Sequence, residues 1–296
     1  MYAIFGIGGL SFLTVDGAYG VSPIIATNAN INSPSTITIS PYSSSFTHTL
    51  QYKIAGESSF TNIVSKTNET TYSWTIPLSV YNSLGSSEKS KEITIKCITY
   101  SGDTSLGESE TTITVYAVES VCKPTVSATY TYLNDASPYT GNNTTAILNW
   151  SNVSISVSAT GNYGATISSY SIIHNGTTYN ENTHTFNKIS VGTFTYRATD
   201  TRGYVSEGTL TLTTVPYFLP TITISVVPPN IQTGETKTTA KGKVFTSSFG
   251  AVNNAVVVQY RYKISGGNYG DWITLTHSAN NNNYSTSVNS ITLDYR

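Results

Sequence analysis

Apolar and polar residues alternate with a period of two along most of this chain. Three stretches show it plainly, each opening on proline: Pro34-Ser-Thr-Ile-Thr-Ile-Ser40, Pro124-Thr-Val-Ser-Ala-Thr-Tyr130 and Pro220-Thr-Ile-Thr-Ile-Ser-Val226. Successive side chains of a strand point to opposite faces, so the pattern predicts strands with one apolar and one polar face. Proline suits the first position, because its missing N–H need not enter the ladder. The three prolines lie 90 and 96 residues apart.

Further strings recur inside each period. Tyr52-Lys-Ile-Ala-Gly56, Tyr170-Ser-Ile-Ile-His-Asn-Gly176 and Tyr262-Lys-Ile-Ser-Gly266 each predict a strand ending in a glycine turn. Ile95-Lys-Cys-Ile-Thr-Tyr-Ser-Gly102 aligns without gaps on Tyr196-Arg-Ala-Thr-Asp-Thr-Arg-Gly203, and alternating segments at 111–115 and 209–215 follow. Helical periodicity is confined to one short candidate, Pro77 to Leu84. Turn signals every 8 to 12 residues, in a repeat of about 100, describe an immunoglobulin-like sandwich. The expected fold class is therefore all-β: tandem immunoglobulin-like antiparallel β-sandwich domains arranged as an extended rod.

This ruler divides the chain into an apolar N-terminal docking segment (1–20), domain 1 (21–118), domain 2 (119–216) and domain 3 (217–296). The linkers at 115–118 and 215–220 are short and apolar, which favours end-to-end packing over free hinges. After Trp272-Ile-Thr-Leu-Thr276 and Ile291-Thr-Leu293, domain 3 has no counterpart of the late strand and the final strand. The expectation is an incomplete domain 3 in a fragment of a longer chain. A signal peptide is disfavoured despite Ala18-Tyr19-Gly20, since no Lys or Arg precedes Lys53.

Composition narrows the surface chemistry. Only 10% of the 296 residues are charged, against about 25% in ordinary domains, and the formal net charge is −1. Ser and Thr fill roughly 30% of the chain, and Tyr supplies 22 of the 34 aromatic residues. Aromatic and β-branched content on this scale argues against disorder. With 15 Lys+Arg against 16 Asp+Glu and no basic cluster, nucleic acid is excluded as a partner. No apolar window reaches the length of a membrane-spanning helix.

Motifs for chemistry are absent. Cys97 and Cys122 have neither metal nor redox spacing and are expected as free thiols, Cys97 as a small buried hydrophobe. The four histidines lack ligand spacing, and His174, before the hairpin signal Asn175-Gly176, is expected to be solvated. Asp200 is expected to accept from turn N–H groups, with Arg202 paired nearby. No catalytic residue, cofactor site or metal site is assigned, and the chain is expected to be non-enzymatic. Tyr163, Tyr204, Tyr269 and Trp272 are the candidate glycan or partner contacts, because such side chains offer rigid amphipathic area at low entropic cost. The blander reading is that tyrosines merely line strand faces.

Several strings resemble one family. Gly161-Asn-Tyr-Gly-Ala-Thr-Ile-Ser-Ser-Tyr170, His174-Asn-Gly176 and Ala198-Thr-Asp-Thr-Arg-Gly203 follow the order of a repeat in minor structural proteins of siphophages infecting Gram-positive bacteria. Thr47-His-Thr-Leu-Gln-Tyr52, Ser73-Trp-Thr-Ile-Pro77 and Ile98-Thr-Tyr-Ser-Gly102 resemble the preceding domain, and Gln259-Tyr-Arg-Tyr-Lys-Ile-Ser-Gly-Gly267 with Asp271-Trp272 the following one. The resemblance covers about residues 34 to 293; Met1 to Leu13 departs from it. It implies a virion protein of a tail tip, tail fibre or other surface appendage, assembled in the host cytoplasm. Its implied partners are other virion proteins, further copies of itself and a host-surface glycan. The alternatives are a secreted bacterial surface adhesin or filament subunit, and an accessory domain of a carbohydrate-active enzyme.

Overall fold

The computed structural model describes residues 2–6, 9–13, 20–227, 237–254, 257–263, 266–275, 278–280 and 283–289. The expectations at Ala18-Tyr19, Ile264-Ser265, His277 and 291–293 fall outside these residues. Strands dominate, and the helices are single turns. One of them, Ser79–Asn82, sits inside the segment whose periodicity suggested it.

The first sandwich follows directly from the alternation. Its three-stranded sheet runs Ile24–Ala26, Pro34–Ile39, Thr71–Thr75. Its five-stranded sheet runs Ala29–Asn30, Thr104–Tyr116, Ser90–Ser101, Phe46–Ile54, Thr61–Thr67. All pairs are antiparallel except Ala29–Asn30, which joins the last strand in parallel. In Ser90–Ser101, Ile93, Ile95, Cys97 and Thr99 are buried while the residues between them are not. They meet Ile37, Ile39 and Trp74 from the facing sheet, and Trp74 lies 4.8 Å from the Tyr52 ring. An Ile side chain so buried contributes about 1.5–3 kcal/mol, which makes this cluster the main source of the sandwich's stability.

The second sandwich repeats that topology, with its last strand broken into Val205–Thr211 and Thr213–Val215. One sheet runs Thr125–Tyr132, Val153–Thr160, Thr183–Phe186, and the other Thr177–Tyr179, Ile167–His174, Thr193–Asp200, Val205–Thr211. The parallel pair recurs as Thr145–Ile147 with Thr213–Val215. The gap-free alignment of the two late strands is a structural equivalence. Cys97 and Ala198 are both buried, as are Thr99 and Asp200, and Gly102 and Gly203 both have positive φ. Two facing antiparallel sheets with this strand order are immunoglobulin-like.

Toward the C-terminus, Thr221–Val227, Lys237–Lys243, Asn283–Asn289 and Ser278–Asn280 form a four-stranded sheet, and Val258–Tyr260 pairs with Ile273–Leu275. The alternation at 220–226 yields its strand, but Ile222, Ile224 and Val226 stay exposed. The N-terminal segment is an antiparallel hairpin of Tyr2–Gly6 and Gly9–Leu13.

By packing, the chain falls into two compact units. One comprises Met1–Val126, Ala159–Tyr170 and Arg197–Ser206; the other comprises Ser127–Ser158, Ser171–Tyr196 and Glu207–Arg296.

Candidate functional site

In the first unit, the aromatic candidates Tyr163 and Tyr204 are occupied by packing. Gly161 starts the loop that carries Tyr163. A Cβ there would lie 2.1 Å from the carbonyl oxygen of Ala165, so only glycine permits this turn. The Tyr163 ring stacks on buried Tyr81 at 4.1 Å, and Tyr81 Oη donates to the Ile31 carbonyl. Tyr204 Oη donates to the Ala117 carbonyl, and Lys89 Nζ sits 5.0 Å from the ring centroid. Both tyrosines rest against the core of the first sandwich.

Between them, Asp200 and Arg202 build a buried polar knot. Asp200 Oδ1 accepts from the backbone N–H of Arg202 and of Tyr204, each at 2.9 Å. That acceptor role is the expected one. The Arg202 side chain corrects the expectation of a pair with Asp200: its guanidinium donates to backbone carbonyls instead. Nε reaches Glu88 at 2.8 Å, Nη1 reaches Asn162 at 2.8 Å, and Nη2 reaches Gly85 and Tyr163. Arg202 is only 2% exposed, and the planar fork of donors matches several fixed acceptors at once. The turn carrying Asp200 aims the fork at the loop 85–88 and away from its own carboxylate. Asn162 Nδ2 to the Lys123 carbonyl and Thr201 Oγ1 to the Ser86 carbonyl extend the knot. It is a clamp, in which Asp200 Oδ2 stays buried without a hydrogen-bond partner among the described residues.

His174 also departs from expectation. It ends a strand, and the turn after it has φ of 47° at Asn175 and 78° at Gly176, the two positive values of a type I′ hairpin. The imidazole is buried: it stacks on Phe194 at 4.3 Å and meets Phe186 edge-on. Burial holds its pKa below the ordinary histidine value. Its place two residues after buried Ile172, on the same strand face, is the physical reason. His48 is likewise buried, with Nε2 against Ser22 Oγ at 2.8 Å and no partner for Nδ1 among the described residues. Cys97 and Cys122 are free and buried, and burial pushes the Cys97 thiol up to about 11. Among the described residues, no three His, Cys, Asp or Glu side chains gather as a metal site. No helix there is long and apolar enough to cross a membrane.

In the second unit, Tyr269 and Trp272 lie together on the loop joining Val258–Tyr260 to Ile273–Leu275, 54% and 57% exposed. Sequence reasoning missed what joins them. The Arg261 guanidinium carbon lies 4.5 Å from the Tyr269 ring centroid and 4.6 Å from that of Trp272, and Lys263 Nζ lies 5.1 Å from Tyr269. The Gly270 N–H closes the loop on the Tyr262 carbonyl at 3.0 Å. The clue was the run Gln259-Tyr-Arg-Tyr-Lys263, but the strand ends at Tyr260 and does not reach the expected 262–263, so Arg261 and Lys263 belong to the loop that follows it. The arrangement is an exposed plate of rings braced by cations, suited to polar, ring-bearing or anionic partners.

Of the four candidates, then, two face inward and two form one surface. The sequence profile described as "Siphovirus protein of unknown function (DUF859)" matches residues 9–291. The chain belongs to this siphovirus family. Curated protein sequences give no match. Among solved structures, the chain is similar to the chicken CNTN1 FN1-FN3 domains, with 15% identity over 66% of this chain and 67% of that one, at a TM-score of 0.23. It is also similar to PcdhgB3 EC1-4, with 10% identity over 92% of this chain and 68% of that one, at a TM-score of 0.28. The family's members are phage proteins, and this one is built from all-β sandwiches.

Proposed function

We propose that this siphovirus protein is a non-enzymatic structural component of the virion, in the tail tip, a tail fibre or another surface appendage, and that it contributes to adhesion to the host surface. The observation that carries the proposal is the family match across residues 9–291, that is, over both sandwiches and most of the C-terminal segment. The chemistry is compatible with it. Hydroxyl- and amide-rich strand faces are soluble, and a net charge of −1 gives little nonspecific attraction. Its partners in this reading are other virion proteins and further copies of the chain, in phages of Gram-positive hosts.

The adhesive surface in this reading is the Tyr269–Trp272 plate with Arg261. Binding of the fluorescently labelled protein to host cells tests it. Saturable binding that falls at least tenfold in the Tyr269→Ala/Trp272→Ala double variant is expected, with its thermal unfolding unchanged. Undiminished binding by the variant removes the plate from the proposal.

A further inference from the structure

A second aromatic site lies inside the second unit, away from the loop just described. Tyr139, Ile147, Trp150, Tyr217, Phe249 and Asn254 line a cavity of about 200 Å³. Their backbones are tied together. The N–H groups of Ala251 and Val252 both donate to the Tyr139 carbonyl, at 2.9 and 3.2 Å. Asn149 Nδ2 donates to the Tyr217 carbonyl at 2.6 Å, and Asn254 Nδ2 donates to the Phe245 carbonyl. The site is thus preformed rather than assembled from free side chains, which lowers the ordering entropy that binding must overcome.

Its walls combine ring faces with open polar atoms. Tyr139 and Trp150 meet edge-to-face at 5.6 Å and 78°, and Tyr217 meets Phe249 at 5.6 Å and 62°. Among the described residues, Tyr139 Oη, Tyr217 Oη, Trp150 Nε1 and Asn254 Oδ1 have no hydrogen-bond partner in the protein. The residues that line the cavity thus carry two hydroxyls, one N–H donor and one amide acceptor beside apolar surface, and none of them is charged. That excludes an anionic or cationic ligand, whose desolvation would find no counter-charge. Flat aromatic ligands favour parallel ring faces, whereas these rings stand at steep angles. A puckered ring with C–H faces and rim hydroxyls fits both features, and the volume admits one such ring.

We propose that this cavity binds a single neutral pyranose residue, stacked on Trp150 and Tyr217 and hydrogen-bonded by the polar groups of the lining residues. The proposal rests on the host-surface reading only for the source of the sugar. Saturation-transfer NMR on the full chain tests it, with glucose, galactose, rhamnose and N-acetylglucosamine as probes and glucuronate as the charged control. At least one neutral sugar is expected to bind in the millimolar range. Trp150→Ala is expected to abolish the transfer. Tyr217→Phe, which removes one oxygen and keeps the packing, is expected to weaken binding about three- to tenfold. The proposal is overturned if none of the four sugars shows transfer at about ten millimolar. It is equally overturned if Trp150→Ala and Tyr217→Phe leave the transfer unchanged, or if glucuronate binds as well as the neutral sugars. None of these outcomes bears on whether the protein is part of the virion.

Discussion

Arg202 Nε donates to the backbone carbonyl of Glu88 at 2.8 Å, joining residues 114 apart in the chain. With the bonds to Asn162, Gly85 and Tyr163, one buried side chain satisfies four carbonyls. Arg202→Ala leaves these partly buried acceptors without their donor and removes a buried side chain, so a loss of about 3 kcal/mol in unfolding free energy is expected. Arg202→Lys keeps the charge but not the planar fork, and less than half of that loss is expected to be recovered. Urea unfolding of the three proteins measures both. A wild-type-like Arg202→Ala would mean that the knot is not a stabilising clamp.

Gly161→Ala tests the loop that delivers Tyr163 to Tyr81. The added Cβ would fall 2.1 Å from a backbone oxygen, so the loop must move. A destabilisation of about 1–3 kcal/mol is expected, since relief comes only by shifting main chain. The same substitution at Gly56, where a Cβ meets no neighbour, leaves only the left-handed φ of 97° as a penalty. Its effect is expected to be the smaller of the two in the same unfolding assay.

Acid sensitivity follows from the buried histidines. Burial lowers the pKa of both His48 and His174 below the ordinary value. In the unfolded chain each takes a proton near pH 6.5, while in the fold each resists it. The unfolded state therefore binds more protons below that pH, and stability falls as pH drops. Protonating His48 would also give Nδ1 a proton with no acceptor. Unfolding free energy is expected to be level above about pH 7 and to decline from about pH 6.5 downward. The decline is expected to be shallower in His174→Phe, which retains the stacking on Phe194. A His174→Phe profile parallel to that of the wild type would contradict the assignment.

Much of this fold is legible in the sequence, and the reason is local. Period-2 alternation acts within a strand, so Ile93, Ile95, Cys97 and Thr99 declare their buried face without any long-range information. The left-handed glycines 56, 176 and 266 likewise mark the turns that their strings predict. His174 obeys the same rule, two residues after Ile172 on the buried face, whereas the hairpin signal Asn175-Gly176 fixes only the turn that follows it. What is not legible is which distant segments meet. Tyr163 and Tyr204 read as open loop residues because nothing in their own strings reveals Tyr81 or Ala117. The cavity around Trp150 gathers residues from 139 to 254, and no local pattern links them. Tyr269 and Trp272 are close in sequence, whereas the Arg261 guanidinium comes to lie against both rings only once the hairpin closes.

The central claim, a place in the virion, is tested most directly by antibody labelling. Purified siphovirus particles are incubated with an antibody raised against this chain and imaged in negative stain. Label at one end of the tail, or on a fibre or other appendage, is the expected result. Particles that carry no label at any position, while the antibody still recognises the chain in lysates of infected cells, would contradict it.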